Sequence, residues 1–145
     1  MPEKETLERA AEDAREGKSP STQAGEFVRE EIHHVREGKH GARSAKQAIA
    51  IGLSKARRAG VKLASPKGSA SVQKKAAQDT KAGKSPKHKI SAKRSRATES
   101  ALKREPRSAA SHEALSRQAR KSAVTRGPQA RKRAATKAER TRRAA

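Results

Sequence analysis

The stretch Ser44-Ala45-Lys46-Gln47-Ala48-Ile49-Ala50-Ile51-Gly52-Leu53-Ser54-Lys55-Ala56-Arg57-Arg58-Ala59-Gly60 carries the strongest folding instruction in this chain. Ser44 and Gln47 stand at the S-x-x-Q spacing of a capping box, in which two orphan backbone donors at a helix start are satisfied reciprocally. Ala45, Ala48, Ile49, Gly52, Leu53, Ala56 and Ala59 recur with a 3.6-residue period and form one face. Gly60 follows as the C-cap, with Val61 placed to close it by an apolar contact. The small residues Ala48, Gly52 and Ala56 allow a second helix to approach closely. Ile51 points off that face and is expected to meet either the first helix of the chain or a second subunit.

Working toward the N-terminus, Ser19-Pro20-Ser21 opens another helix, whose stripe is Ala24, Phe27, Val28, Ile32 and Val35 and which ends at Gly38. The link Gly38–Arg43 is short, so this helix and the next should pack antiparallel. Leu7, Ala10, Ala11 and Ala14, followed by Gly17, predict one more helix ahead of them. The phrase Arg-Glu-Gly-Lys at residues 15–18 and 36–39, echoed by Lys81-Ala82-Gly83-Lys84, reads as a repeated helix stop, with a C-cap glycine and a lysine facing the negative end of the dipole.

Charge and apolar content divide the chain further. Residues 1–37 carry 6 Lys/Arg and 10 Asp/Glu, residues 38–63 carry 7 and none, and residues 64–145 carry 24 and 5. Only Val72, Ile90, Leu102, Leu115 and Val124 supply branched apolar side chains beyond Leu63, and Phe27 is the one aromatic of the whole chain. So little apolar surface should not offset the entropy of ordering a segment. The expected fold class is therefore mostly α, with an acidic N-terminal helix over residues 1–18, a helical hairpin of two to three helices over 19–63, and an intrinsically disordered basic tail over 64–145. The alanine-rich stretches Ser91–Glu105, Ser108–Arg126 and Gln129–Arg143 have good helix propensity but no apolar stripe. Only transient helix is expected there.

The net charge of +22 points to a polyanionic partner. Each Lys or Arg that neutralises a phosphate releases a condensed counterion, so binding needs no folded site. The candidate contacts are Arg57, Arg58 and Lys62 at the basic end of the hairpin. In the tail they are Lys67, Lys87, Lys93, Arg94, Arg96, Arg120, Lys121, Arg131, Lys132, Arg133, Arg140, Arg142 and Arg143. Base readers of single strands stack aromatics on bases, and the tail has none, so contacts should go to phosphate without sequence preference. The expected role is architectural, on DNA ahead of RNA, in a cytoplasmic, nucleoid-associated protein. The alternatives are an RNA- or ribosome-associated protein, and an interaction module whose hairpin and Ile51 surface hold a partner or a weak homodimer. No run of 18 apolar residues exists, so no membrane partner is expected.

Enzyme-like strings fail on inspection, and neither catalysis nor a cofactor is expected. Gly17-Lys18-Ser19 and Gly83-Lys84-Ser85 resemble the end of a P-loop, but Glu12 and Gln78 occupy the position of its first glycine. His112-Glu113-Ala114-Leu115-Ser116 lacks the last ligand of H-E-x-x-H. Glu30-Glu31-Ile32-His33-His34 holds two E-x-x-H spacings, whereas a di-iron bundle needs such motifs from two helices. His33 should be solvated and His34 should flank Phe27. Without cysteine there is no thiolate site, and no metal is expected.

Lys46-Gln47-Ala48-Ile49-Ala50-Ile51-Gly52-Leu53-Ser54-Lys55-Ala56 resembles a K-Q-A-I-A-I-[AG]-L-S-x-A signature found in short, basic bacterial proteins of unknown function. The segment Phe27–Gly38 is similar as well, and the resemblance spans about residues 19–63. It implies a bacterial origin and a recurring helical module. Relatives often carry Glu at the position of Lys55. Ser65-Pro66-Lys67-Gly68 and Ser85-Pro86-Lys87-His88 resemble the S-P-K-x turns of linker-histone tails. Gln118–Ala123 is similar to a stretch of core-histone tail. These likenesses imply shared electrostatics.

Overall fold

The computed structural model describes residues 1–85 and 91–144. Its elements are α1 (Lys4–Arg15), α2 (Pro20–Glu37), α3 (Ala45–Arg58), α4 (Ala70–Lys84), α5 (Ala92–Lys103), a 3-10 turn (Arg107–Ala110) and α6 (His112–Ala144). The local signals of α1 to α3 act as read, whereas Gly83, expected to cap a helix, lies inside α4, whose C-cap is Ser85. Ser19 accepts from the Thr22 N–H with Pro20 at N1, and Ser44 accepts from the Gln47 N–H at 3.2 Å. Gln47 completes the box by accepting from the Arg43 N–H at 2.8 Å, one residue upstream of the standard partner. Gly38 ends α2 in the left-handed region (φ 77°), where the Lys39 N–H reaches back to the His34 carbonyl.

Helices α2 and α3 form the central pair. Phe27, Ala24 and Ala56 are buried with Ala10 of α1, and Leu53, Val61 and Leu63 close around them. The other half of the core is Ile32, Val35, Ala42, Ala48, Ala109 and Ala110, flanked by Val28 and Leu115. The close approach at Ala48, Gly52 and Ala56 is present, and all three are buried. A Cβ at Gly52 would lie 2.7 Å from the Val28 Cα and 3.0 Å from the Phe27 carbonyl oxygen. Gly52→Ala should therefore push α2 from α3 and cost about 1–3 kcal/mol despite alanine's better helix propensity. Urea unfolding should show the loss as a lowered midpoint. An unchanged or raised midpoint would contradict this packing.

The expectation of a disordered tail over residues 64–145 is overturned, because that segment carries α4, α5, the 3-10 turn and α6. Of the branched apolar residues on which the expectation rested, Leu115 packs against the core, and the rest of the docking rests on polar and small residues. Helix α4 is held on α3 by Asp79, 2% exposed, which accepts from Ser54 Oγ (2.7 Å), Arg58 Nε (2.9 Å) and Lys75 Nζ (3.1 Å). The glycine at 83 brings α4 against the last turn of α3, where a Cβ would meet the Arg57 carbonyl oxygen at 2.7 Å. At the end of α5 and just beyond it, the Gly41 N–H donates to the Leu102 carbonyl (2.8 Å) and the Ala42 N–H to the Pro106 carbonyl (3.0 Å). The alanines of the 3-10 turn then enter the core, and Arg36 Nε donates to the Ala110 carbonyl at 3.0 Å. The boundary placed near residue 64 thus cuts through a packed unit.

Two apolar assignments also change. In α1 the buried positions are Thr6 and Ala10, while Leu7 is 41% exposed. Ile51 is half-buried and shares its stripe with Ser54 and Arg58, the two residues that meet Asp79 of α4. That face is covered by α4 rather than by the first helix.

Candidate nucleic-acid interface

Arg43 and Lys46, at the start of α3, and Arg117 and Lys121, in the first half of α6, line a cleft of about 360 Å³ together with Ser44, Ser111 and Gln118. The 3-10 turn creates it. By anchoring Ala109 and Ala110 in the core, it sets the start of α6 beside the start of α3. Ser111 caps α6 by accepting from the Ala114 N–H at 3.2 Å, as Ser44 caps α3. Two helix starts, each with a partial positive charge, therefore open on one cavity. Among the described residues, Lys46, Arg117 and Lys121 form no ion pair, and Arg43 lies 3.5 Å from Glu105 while 82% exposed. A concave site lined by four cations suits a phosphate group.

The second half of α6 is an exposed basic rod. Gly127 (φ 75°, ψ 167°) breaks the helix and Pro128 restarts it. Beyond the break, Arg131, Lys132, Arg133, Lys137, Arg140, Arg142 and Arg143 stand against Glu139 alone. Alanine, arginine, lysine and glutamine are strong helix formers, and Glu139 pairs with Arg143 at 2.7 Å one turn on. This half spans about 25 Å.

The sequence-derived contacts fall into three groups. Lys62, Lys67, Lys93, Arg94, Arg96, Arg120, Lys121, Arg131, Lys132, Arg133, Arg140 and Arg142 are exposed and without an ion pair among the described residues; Arg143 is exposed and bound to Glu139. Lys87 lies outside the described residues, as does most of the Ser85–His88 turn. Arg57 requires correction. Arg57 is buried and donates to the Ala64 carbonyl at 3.2 Å, and Arg58 is engaged by Asp79. Arg57 serves the fold, and Arg58 pairs with Asp79 while its side chain stays 56% exposed. Conversely, Arg43, Lys46 and Arg117 were missed by reading the sequence. Their only signal was proximity to the cap residues Ser44 and Ser111.

A second charged cluster lies inside the α2–α3 pair. Glu30 and Glu31 are 5% and 1% exposed, and Lys55 of α3 reaches both, at 3.0 Å and 2.7 Å. Desolvation, the largest single influence, would raise the Glu30 carboxyl. Hydrogen bonds from Lys55, the Glu3 backbone and Thr6 together hold it below the usual carboxylate range. Desolvation likewise opposes charge on Lys55, yet Glu31 and Glu30 keep its ammonium above the ordinary lysine value. Glu3, drawn to about 2 by hydrogen bonds from His34 and Lys39, extends this network to α1.

Residues 15–68 match a family of unknown function, DUF6496. The match takes in α2, α3 and the connections on either side of the pair, and stops before α4. No curated protein matches the chain, and no solved structure does. Among the described residues no helix is long and apolar enough to cross a membrane.

Proposed function

We propose that this protein binds nucleic acid without sequence preference, DNA ahead of RNA, and serves an architectural rather than a catalytic role in the nucleoid. The observation that carries this reading is the cationic cleft continuing into the basic rod of α6. Together Arg43, Lys46, Arg117, Lys121, Arg131, Lys132, Arg133, Lys137, Arg140 and Arg142 offer ten cationic side chains to a phosphate backbone. Phosphate contacts of this kind fix position and supply affinity, and carry no base information. The absence of any aromatic from α6 favours backbone contact over base stacking.

The test replaces Arg43, Lys46, Arg117 and Lys121 together by Gln. Each is a surface residue, and circular dichroism should show the helix content unchanged. If the four residues engage four phosphates, the log–log salt slope for duplex DNA should fall in magnitude by about 3.6. An unaltered slope would remove the cleft from the interface. Failure of the parent chain to bind duplex DNA or RNA at low salt would end the reading altogether. Truncation is a poorer probe, since cutting after residue 63 strips α4 and the 3-10 turn from the core.

A further inference from the structure

We propose that Glu31, His34 and His40 form a binding site for a divalent transition-metal ion of the zinc class. The three residues come from the last two turns of α2 and from the connection to α3. One ligand atom from each lies within 4.8 Å of the other two. The rings of His34 and His40 stand edge to face, 6.1 Å apart and at 83°.

The hydrogen bonds around the cluster make the case. His40 Nδ1 lies 2.9 Å from the Gly41 carbonyl, an acceptor only, which places the proton on Nδ1. The Nε2 of the same ring faces Glu31 Oε1 at 2.9 Å. That nitrogen and that oxygen share a cation, either a second ring proton or a metal ion. A metal ion takes both electron pairs at once. The other Glu31 oxygen is fully buried and makes no aligned hydrogen bond, although Lys55 Nζ lies 2.7 Å away. Lys55 thus balances the carboxylate by charge at Oε2, while Oε1 faces His40. His34 Nε2 is 2.9 Å from Glu3 Oε1, the carboxylate–histidine pairing that commonly orients a ligating ring from its far side.

Two imidazoles and one carboxylate form a borderline donor set, suited to zinc, cobalt or nickel rather than to calcium or magnesium. Ligand bonds of about 2.0–2.2 Å in a tetrahedron put donor atoms about 3.4 Å apart, so the 2.9 Å His40–Glu31 pair would open by about 0.5 Å and the wider separations, within 4.8 Å, would close by at most about 1.4 Å. Three protein ligands leave one position for water. Because His40 lies beyond the end of α2, the ion would tie the α2–α3 connection to the hairpin. None of the three ligands lines the cationic cleft, so this site stands independently of nucleic-acid binding.

The test uses the untagged full chain, stripped with a chelator and titrated with zinc by calorimetry and with cobalt by visible absorption. The expected result is saturable one-to-one binding with the intense bands of tetrahedral cobalt. At zinc 100-fold above its Kd, the unfolded population should fall about 100-fold, read as a raised Tm. His40→Ala and His34→Ala should each weaken binding at least tenfold, while the exposed His33→Ala and His112→Ala should not. If His40→Ala does not fold, His40→Gln serves the same purpose, with circular dichroism as the check. Absence of one-to-one binding, or binding indifferent to both His34 and His40, overturns the proposal.

Discussion

Raising salt from 50 to 200 mM should weaken the full chain's binding to duplex DNA by about 10⁵-fold. The expectation follows from counting cations rather than from shape. Ten engaged phosphates release ten condensed counterions, which gives a log–log slope near about −9. The ten cations are the four of the cleft and six of the α6 rod, so the figure presumes that both halves of α6 bind. A slope near about −4 would mean that the cleft binds and the rod does not. A flat titration would contradict phosphate-driven binding outright. Gly127→Ala adds a geometric control. Its φ of 75° favours glycine, so the substitution should redirect the rod and alter the slope without removing a charge.

Removing the ammonium of Lys55 should cost the fold about 3–5 kcal/mol, because two buried carboxylates then share an apolar hairpin with no cation from α3. Lys55→Met keeps most of the stem packing and isolates the charge. That loss is a large fraction of the stability of an ordinary small domain, about 5–15 kcal/mol. Its pH dependence has a definite sign. In the native chain Glu30 is held below its unfolded value, so its contribution is complete above about pH 4.5 and is lost as pH falls through the lower folded value. Lys55 is held above its unfolded value, so its contribution is complete below about pH 10.5 and is lost as pH rises through the higher folded value. Between these limits the pair should give a flat stability profile. In Lys55→Met the unpaired carboxylates favour protonation, and stability should instead rise as pH falls from 7 toward 5. Urea midpoints at several pH values measure both. A variant as stable as the parent at pH 7, with no rise on acidification, would show that Lys55 does not compensate Glu30 and Glu31.

The same residues show why the sequence yielded half of this site. Glu30, Glu31, His33 and His34 were visible as overlapping E-x-x-H spacings, but the spacing says nothing of His40, which reaches Glu31 only because Gly38 turns the chain. Lys55 stood out only as a position where relatives often carry Glu, and its pairing across the hairpin depends on the crossing of α2 and α3. In the basic half, the exposed cations beyond Leu63 were read from charge alone, because exposed charge needs no tertiary partner. Arg57 was misread for the converse reason. Nothing local distinguishes an arginine that will meet a buried carbonyl or carboxylate from one that will meet solvent.

By itself the sequence determined what is local: the starts of α2 and α3 at Ser19 and Ser44, their ends near Gly38 and Gly60, and the antiparallel hairpin with its close contact at Gly52. Cap hydrogen bonds and a 3.6-residue apolar period act within a few residues, so they can be read along the chain. Tertiary structure alone decided that α4, the 3-10 turn and the start of α6 pack against the hairpin. A buried Asp79, backbone hydrogen bonds from Gly41 and Ala42, and alanines at 109 and 110 perform that docking. Their worth depends on partners far away in sequence, and a count of large apolar side chains assigns them none.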